Sequence, residues 1–532
     1  MLRVKIRNCQ LTADPLETWF TSLGVNTSHI DWLQLSYNRP DSTDQLRGDH
    51  MRGLTSLRGL SIVNYNITSL DKTMFQHVIG IKSLDLTQNK GIQLEGSSFT
   101  DLKDLEEFTC NSCLLSNLEV NIFQGLTRLR SIFLNDNKLS TLPQGIFDTN
   151  TALEFISIDR NNLQTLPAHS LDNLVNLTYI NLNFNNLTSL PTDLFKYNTN
   201  MKRFDLKVNG DNNPFLGLGY PMETARRLQL PSSLFPDSLE EITMLWVPLT
   251  NVPPTLLQNC KNLVNVIIQR GMITSLPENL LQGLTNLKMV DFSVNRITDL
   301  PQNIFKGLLK LERLRFIANN LTSLHERLFE DLHSLKVIHL GKNQIDTVPP
   351  NLFSPTRGLE ELDLSKNKIS FRDKFSNSLL FNLKILDLSF NNISFITNEM
   401  RIVFQNLKTL NLSHNSIGDL VFYDIQFLQN NRDGDFTVDL SHNKISKLNM
   451  SLCPYCEGAT FIPFYLNLTN NPLTCDCDTV ALKQLVNRTL PSAINNAVNL
   501  RPNELRCGED NSQKTRNKLL SEVDFRDLNC EN

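Results

Sequence analysis

A period of 24 residues constrains this chain more than any other feature of its sequence. Five segments, 129–139, 153–163, 177–187, 359–369 and 383–393, share the frame L-x-x-L-x-L-x-x-N-x-L. The ninth position of that frame recurs 19 times, from residue 9 to residue 471, and 13 of the intervals between successive occurrences are 24 residues long. One such unit is too short to bury its own apolar side, so neighbouring units must stack and share an interior. The 532 residues therefore do not divide into three or four separate globular domains.

The frame matches the signature of leucine-rich repeats and predicts an α/β fold: a leucine-rich-repeat solenoid, or horseshoe, with a parallel concave β-sheet. The fourth and sixth positions point inward from a short strand, and the third, fifth, seventh and eighth positions point outward. We predict about 19 repeats over residues 1–473 and a Cys-rich C-terminal cap over residues 474–532. The one interval of 38 residues predicts a loop excursion at residues 209–233.

Two fixed phases of the repeat predict the interior. Asn at the ninth position both donates and accepts hydrogen bonds, so a stack of Asn side chains can join the turns of adjacent repeats as a ladder. Cys9 and Cys113 are weak donors that fit this position, whereas Val247 and Gly271 cannot donate, so we expect the ladder to lapse there. A second phase predicts a stacked aromatic row inside the convex side, formed by Phe75, Phe99, Phe123, Phe147, Phe305, Phe329 and Phe353.

The remaining cysteines have structural interpretations. Cys453 and Cys456 form the sequence CPYC, for which we predict a local structural bridge, Cys453–Cys456. A redox dithiol is the alternative, but such motifs act at a helix start in a βαβ unit, which the repeat does not supply here. Cys110 and Cys260 occupy leucine phases and are predicted to be buried thiols.

The end of the chain resembles the C-terminal cap of extracellular leucine-rich-repeat proteins. Its motif is a C-x-C pair after the last NPL, followed by two distant cysteines. Four cysteines alone allow three connectivities. The resemblance implies the pairs Cys475–Cys507 and Cys477–Cys530.

Asn-x-Ser/Thr acceptors, together with this cap, indicate the secretory pathway. Four acceptors share the tenth position of the frame and would decorate one rim, while Asn411 and Asn467 occupy the fifth position and would obstruct the concave face if glycosylated. The predicted N-glycosylation sites are Asn26, Asn66, Asn176, Asn186, Asn320, Asn392, Asn411, Asn449, Asn467 and Asn487.

The sequence contains no catalytic or metal-binding constellation, so we expect neither an enzyme nor a cofactor. The net charge of −4 gives no basic face for nucleic acid. His414 and His442 share the eighth position of consecutive repeats; we weigh a pH-sensing pair against two solvated polar residues, which is the default. No apolar run approaches the ~18 residues that span a bilayer.

What the repeat offers is a long outward surface for a protein partner. Exposed aromatic residues flanked by charges are enriched in protein interfaces. Such residues cluster in the N-terminal half, and Trp246 is a later example beside the excursion. The candidate ligand-binding residues are Trp32, Tyr37, Glu107, Phe133, Asp136, Asp159, Arg160, Tyr179 and Phe184.

Four parts of the chain resemble the ectodomain of insect Toll receptors: its opening, its repeats, the irregular segment 416–445 and the NNPLTCDCDTVALKQLV cap. The resemblance implies a single-pass receptor of innate immunity and development at the plasma membrane, with this part outside the cell. Its ligand would be a Spätzle-like cystine-knot cytokine dimer, and ligand-driven receptor homodimers or heterodimers would activate a cytoplasmic TIR domain. Because MLRVKIRNCQ has no apolar h-region, and the second repeat block, membrane helix and TIR domain are missing, we expect an ectodomain fragment that contacts a membrane only through other segments.

The alternative is a secreted or membrane-tethered leucine-rich-repeat protein that acts as an adhesion or immune scaffold. A membrane helix and a TIR domain encoded downstream would favour the receptor. A third class, a CPYC oxidoreductase, requires an exposed and reducible dithiol.

Overall fold

The computed structural model describes most of the chain in two compact units, unit 1 (Met1–Met272) and unit 2 (Ile273–Asn532). The residues described are 2–7, 14–36, 46–70, 73–209, 226–370, 380–396, 407–418, 420–421, 436–449, 464–475, 482–483, 486–487, 498–500, 504–508 and 515–524.

Unit 1 is a succession of short strands in chain order. These are β1 (Leu2–Arg7), β2 (Ile30–Ser36), β3 (Gly59–Val63), β4 (Ser69–Leu70), β5 (Ser83–Asp85), β6 (Gln93–Leu94), β7 (Glu107–Thr109), β8 (Ser131–Phe133), β9 (Phe155–Ser157), β10 (Tyr179–Asn181), β11 (Arg203–Lys207), β12 (Glu241–Leu245) and β13 (Asn265–Gln269). An eight-stranded parallel sheet has the order β1-β2-β3-β5-β7-β8-β9-β10. Strands β11, β12 and β13 also pair in parallel, and β4 pairs with β6 in a separate small sheet.

Unit 2 repeats the same arrangement. Its strands are β14 (Met289–Asp291), β15 (Arg313–Arg315), β16 (Val337–His339), β17 (Glu361–Asp363), β18 (Ile385–Asp387), β19 (Thr409–Asn411), β20 (Leu420–Val421), β21 (Phe436–Asp439), β22 (Leu448–Asn449), β23 (Phe464–Asn467) and β24 (Val498–Leu500). The parallel order is β14-β15-β16-β17-β18-β19-β21-β23-β24, and β20 pairs separately with β22. The predicted leucine-rich-repeat solenoid with a parallel sheet is therefore confirmed.

Helix is scarce in this fold. Unit 1 contains the helix α1 (Leu16–Ser22) and the 3-10 turns Thr27–His29 and Gly48–Met51, and unit 2 contains the 3-10 turn Leu520–Glu522. Elsewhere in the described ranges the chain returns from strand to strand mainly through turns. Within those ranges, no helix has the length and apolar character needed to cross a membrane.

Strand pairing in register turns each frame position into a column of side chains. Strands β17 and β18, for example, pair Leu362 with Leu386 and Asp363 with Asp387, which are equivalent positions of consecutive repeats. The leucines of this pair are fully buried. We call the opposite side, which carries the third, fifth, seventh and eighth positions, the strand face. A residue on one strand therefore lies ~4.8 Å from its equivalent on the next strand.

The ninth-position Asn ladder is present, and Asn367 shows its geometry. Its Nδ2 donates to the backbone oxygens of Leu340 (3.1 Å) and Leu364 (3.0 Å), while its Oδ1 accepts from the backbone N–H of Ile345 (3.0 Å). One side chain thus joins consecutive repeats and satisfies buried backbone groups. At Val247, which has no side-chain donor, the backbone N–H of Leu249 donates instead to the oxygen of Val247 (2.7 Å).

The predicted aromatic row is also present. All seven of its phenylalanines are at most 1% exposed. In unit 1 the ring centres of Phe123 and Phe147 are 6.1 Å apart. In unit 2 those of Phe329 and Phe353 are 5.9 Å apart. Side chains that repeat at one phase therefore form the interior of both units.

The excursion after Asn209 rejoins the solenoid before its predicted end. The backbone N–H of Gln229 donates to the oxygen of Thr188 (2.8 Å), and Leu228 is fully buried. Residues 210–225 lie outside the described part of the chain. The segment 209–233 is therefore partly packed against unit 1, because an apolar residue among its last positions can enter the core.

The cysteines give one confirmation and one correction. Cys475 and Cys507 form a disulfide, as the resemblance implied, and Cys260 is a buried free thiol, as predicted. Burial raises the pKa of Cys260 to about 12. The prediction of a free thiol at Cys110 was wrong: Cys110 is bonded to Cys113. Cys110 occupies a leucine position of the frame and Cys113 the ladder position three residues later. Their Cα atoms are 5.8 Å apart, a distance that suits a disulfide.

Other cysteine predictions fall on residues that are not described. These are the Cys477–Cys530 and Cys453–Cys456 pairs and the ladder role of Cys9, which stay predictions. The boundary between a solenoid at 1–473 and a cap at 474–532 also stays a prediction.

Candidate functional site

Three aromatic rings form a row on the strand face of unit 1. The ring centres of Phe133 on β8 and Phe155 on β9 are 5.2 Å apart, and those of Phe155 and Tyr179 on β10 are 5.3 Å apart. Parallel pairing places Phe155 directly beside Tyr179 and opposite Ser131. The small side chain of Ser131 leaves room for the ring of Phe133, two residues further on, to reach across to Phe155. All three rings are half-buried, so they are held in place and still reach solvent.

A second column, at the eighth positions, borders the row. Asp136, Arg160 and Phe184 follow strands β8, β9 and β10, respectively, by three residues and have a left-handed backbone (φ 56, 51 and 54). Arg160 Nε lies 3.8 Å from Asp136 Oδ1, and its Cζ lies 4.8 Å from the ring centre of Phe184. The guanidinium is therefore fixed between a carboxylate and an aromatic face, an arrangement that favours cation–π contact.

Asp159 joins the two columns. Its carboxylate lies 3.2 Å from Arg160 Nη1 and accepts hydrogen bonds from Ser157 Oγ (3.1 Å) and Asn181 Nδ2 (3.2 Å). Burial raises the pKa of Asp159, and the hydrogen bond from Ser157 and the charge of Arg160 oppose that rise. A carboxylate with partners on three sides keeps the surrounding side chains in one arrangement.

An arginine–carboxylate pair closes the row on the β11 side. Arg203 Nε donates to Asp205 Oδ2 (2.7 Å) and its Nη2 to Oδ1 (3.3 Å), a bidentate pair in which Asp205 is buried. The hydrogen bond with Asp205 raises the pKa of Arg203. Burial, followed by the charge of Asp205, raises the pKa of Tyr179, so its phenol is neutral at physiological pH and can donate a hydrogen bond.

The β7 side of the row is acidic. Glu107 is exposed on β7 and pairs in register with Ser131 of β8. Its carboxylate accepts from Ser83 Oγ (3.2 Å), and Asp85 on β5 accepts from Ser61 Oγ (2.9 Å). A partner that covers the rings would therefore meet carboxylates on one side and an arginine on the other.

The backbone below the rings is held by a second ladder, at the seventh positions. Asn111 Oδ1 accepts from the N–H of Asn135 (2.7 Å), and Asn135 Oδ1 accepts from the N–H of Asp159 (3.1 Å). Asn183 Oδ1 likewise accepts from the N–H of Lys207 (2.6 Å). This ladder, which the sequence frame did not reveal, makes the site a rigid platform, and preorganisation of that kind favours binding.

Seven of the nine sequence candidates lie together, on strands β7–β10 or in the turns that directly follow them. They are Glu107, Phe133, Asp136, Asp159, Arg160, Tyr179 and Phe184. Trp32 on β2 does not belong to the group, because β3, β5 and β7 separate β2 from β8. A Cβ on Gly59 would lie 2.0 Å from the Trp32 ring. Arg3, on β1, has its Cζ 5.5 Å from the centre of the same ring. Trp32 thus packs flat on the neighbouring strand. Tyr37 lies outside the described residues.

Sequence reasoning missed Phe155, Asn181, Arg203 and Asp205. Phe155 and Arg203 occupy the third position of the frame, and Asn181 and Asp205 the fifth, so the outward phase was a usable signal. Over the described ranges, no group of three or more His, Cys, Asp or Glu side chains could hold a metal ion. The arrangement has the properties of a binding surface.

Family models for leucine-rich repeats match residues 55–115, 109–163, 127–187 and 310–369, and a related repeat model matches 380–394 and 405–420. None of these models describes a catalytic family. No curated protein matches the sequence.

Solved structures agree on the fold. A chain of the Toll–Spätzle complex, described as a hub in Drosophila development and innate immunity, matches with a TM-score of 0.74 and 23% identity over 99% of this chain and 68% of that one. A chain of the TLR13–ssRNA13 complex matches with a TM-score of 0.64 and 20% identity over 94% and 69%. A leucine-rich-repeat protein of Leptospira interrogans gives 0.53 and 23% over 84% and 96%. This chain is therefore a leucine-rich-repeat solenoid that shares its fold with Toll-type ectodomains.

Proposed function

We propose that this chain is the extracellular ligand-binding region of a Toll-type receptor. It binds a Spätzle-like cystine-knot cytokine dimer and thereby promotes association and signalling of receptor homodimers or heterodimers. The observation that carries this proposal is the row Phe133–Phe155–Tyr179 on a solenoid of the Toll fold. Rigid, half-buried aromatic rings with charged neighbours are the side chains that most often dominate protein–protein binding energy.

An extracellular location is supported by the Cys475–Cys507 disulfide, because such bridges persist in oxidising compartments. The exposed side chains of Asn66, Asn320 and Asn392 at the tenth position are accessible to a glycan. Asn411 differs, because its Nδ2 donates to Asp387 Oδ2 (3.2 Å) and its Oδ1 accepts from Ser413 Oγ (2.8 Å). We propose glycosylation at the exposed acceptors first.

The direct test is to titrate a purified Spätzle-like cytokine dimer against ring-deletion variants. Phe155→Ala removes the central ring and should weaken binding by ~2 kcal/mol or more, about thirtyfold, if the row is the centre of the interface. Phe133→Ala and Phe184→Ala should each give a smaller loss. Tyr197→Ala is the matched control, because Tyr197 is 50% exposed in the same unit but lies outside the strands.

Unchanged affinity in all three ring variants would remove this surface as the ligand site. A loss in Tyr197→Ala equal to that in Phe155→Ala would show a general effect of truncation. The remaining alternative, a secreted or tethered adhesion or immune scaffold, is distinguished at the gene level, because it lacks a TIR domain after the ectodomain.

A further inference from the structure

A column of stacked rings runs along the eighth positions of unit 2. Phe390, His414 and His442 follow strands β18, β19 and β21, and each has a left-handed backbone (φ 55, 54 and 55). The ring centres of Phe390 and His414 are 3.9 Å apart with planes 10° from parallel, and those of His414 and His442 are 4.0 Å apart and 11° from parallel. In-register pairing of the three strands produces this stack.

Neighbouring groups contact both ends of the column, one at a ring face and one at a ring edge. Lys366 Nζ lies 4.8 Å from the ring centre of Phe390, and Asn470 Nδ2 lies 2.9 Å from His442 Nε2. Phe390 therefore has Lys366 on one face and His414 on the other, and His414 has a ring on each face. The ring edges remain open to solvent, and Phe390 is 43% exposed.

Lysines extend this column into a basic stripe. Lys342 and Lys366 occupy the two preceding eighth positions, and Lys368 and Lys444 occupy tenth positions of the same region. None of the four amines forms an ion pair with a carboxylate among the residues that the structure describes. From Lys342 to His442 the stripe crosses five successive strands, or about 19 Å at ~4.8 Å per strand.

Three carboxylates lie nearby at the fifth positions. The carboxylate of Asp363 accepts from the N–H of Ser365 (2.8 Å), and Asp387 and Asp439 make the equivalent bond at 2.9 Å. They nearly balance the four lysines when the His414 imidazole is neutral. The charge state of His414 therefore decides whether the stripe is strongly positive.

Acidification changes that state. Burial in the stack lowers the pKa of His414, the charges of His442 and Lys366 lower it further, and Asp439 opposes them. The His414 imidazole is thus neutral at physiological pH, and a proton added to it below that pH increases the charge of a surface already lined by lysines.

We propose that this stripe binds an anionic polysaccharide, such as a sulfated glycan, and binds it more tightly in mildly acidic surroundings. The covered ring faces of Phe390 and His414 favour a polysaccharide over single-stranded nucleic acid, because bases bind such surfaces by stacking on open aromatic faces. Sulfate groups need only positive charge and hydrogen-bond donors, which Lys342, Lys366 and the histidine edges supply. The surface is separate from the aromatic row of unit 1.

The test measures heparin fragments binding to the purified chain at about pH 7.5 and about pH 5.5. It uses an Asn392→Gln background, because a glycan on Asn392 would lie two residues from Phe390. We expect affinity to rise several-fold on acidification. The double variant His414→Asn/His442→Asn, which suits a left-handed backbone, should lose that rise and keep the affinity seen at the higher pH.

A second pair of variants separates this site from general attraction. Lys342→Gln/Lys366→Gln should weaken heparin binding about three- to tenfold at both pH values, because each exposed charge contact contributes modestly. Lys306→Gln/Lys310→Gln removes the same charge outside the stripe and should change nothing. Equal affinity at the two pH values in the parent chain, an equal loss in both lysine pairs, or tighter binding of a single-stranded RNA of matched charge would each overturn the proposal.

Discussion

Replacing one ladder residue should destabilise unit 2 by an amount that follows from its hydrogen bonds. Asn367 is buried: its Oδ1 accepts from the N–H of Ile345, and its two amide hydrogens are shared among the backbone oxygens of Leu340, Leu364 and Ser365. In Asn367→Leu the three oxygens keep another donor, because Asn343 also bonds Leu340, Asn391 also bonds Leu364 and the backbone N–H of Lys342 also bonds Ser365. Only the Ile345 N–H is left unpaired.

The cost can be worked from these contacts. An unpaired buried N–H costs ~1–3 kcal/mol, and the loss of the bonds from each of the two amide hydrogens contributes ~0.5–1.5 kcal/mol. Leucine has as many side-chain heavy atoms as asparagine but a larger volume, so no cavity forms and any overpacking adds to this cost. We expect a loss of about 2–6 kcal/mol.

Hydrogen exchange measured by mass spectrometry is the suitable assay, together with urea unfolding, because long repeat arrays do not always unfold in one step. The amide of Ile345 should exchange faster than in the parent chain. Asn382→Ala is the control, because Asn382 is exposed and, within the described part of the chain, its side chain bonds only the oxygen of Arg357 (2.9 Å). This variant should cost less than ~1 kcal/mol. The reasoning is refuted if the two variants are equally stable and the protection of the Ile345 amide does not change.

Three further predictions concern single residues of either unit. Val294 is 38% exposed and β-branched with φ 59, so Val294→Asn should stabilise by ~1 kcal/mol, visible as a higher Tm; a lower Tm would contradict the strain argument. The pKa of Asp159 is higher in the folded than in the unfolded chain. Its ionisation therefore lowers the free energy of unfolding as the pH rises above the pKa that Asp159 has in the unfolded chain. Asp159→Asn should therefore raise the free energy of unfolding more at neutral pH than near pH 3. A change in that free energy that does not vary with pH would exclude this linkage. Gly59→Ala would place a Cβ 2.0 Å from the ring of Trp32 and should cost ~1–3 kcal/mol while shifting tryptophan fluorescence; an unchanged spectrum and stability would show that the ring does not pack there.

The repeat frame predicted the interior of this protein because burial there depends only on position within the period. The phases of Asn367 and Phe123 determine which way their side chains point, whatever the rest of the chain does. The Cys475–Cys507 bridge was likewise accessible through the resemblance of the cap. A contact between two different positions of the frame could not be predicted in this way. Cys110 was expected to be a free thiol, although Cys113 lies three residues further along the chain and is bonded to it.

By itself the sequence determined the strands, their inward and outward residues and the two stacked interior rows, since each follows from a period of 24 residues. Only the tertiary structure decided which outward residues meet. It placed Phe155 between Phe133 and Tyr179, laid Trp32 over Gly59 and stacked three rings in unit 2. The physical reason is that parallel pairing places residues 24 positions apart on neighbouring strands. The size of each outward side chain then determines whether it points to solvent or packs against the side chain on the next strand.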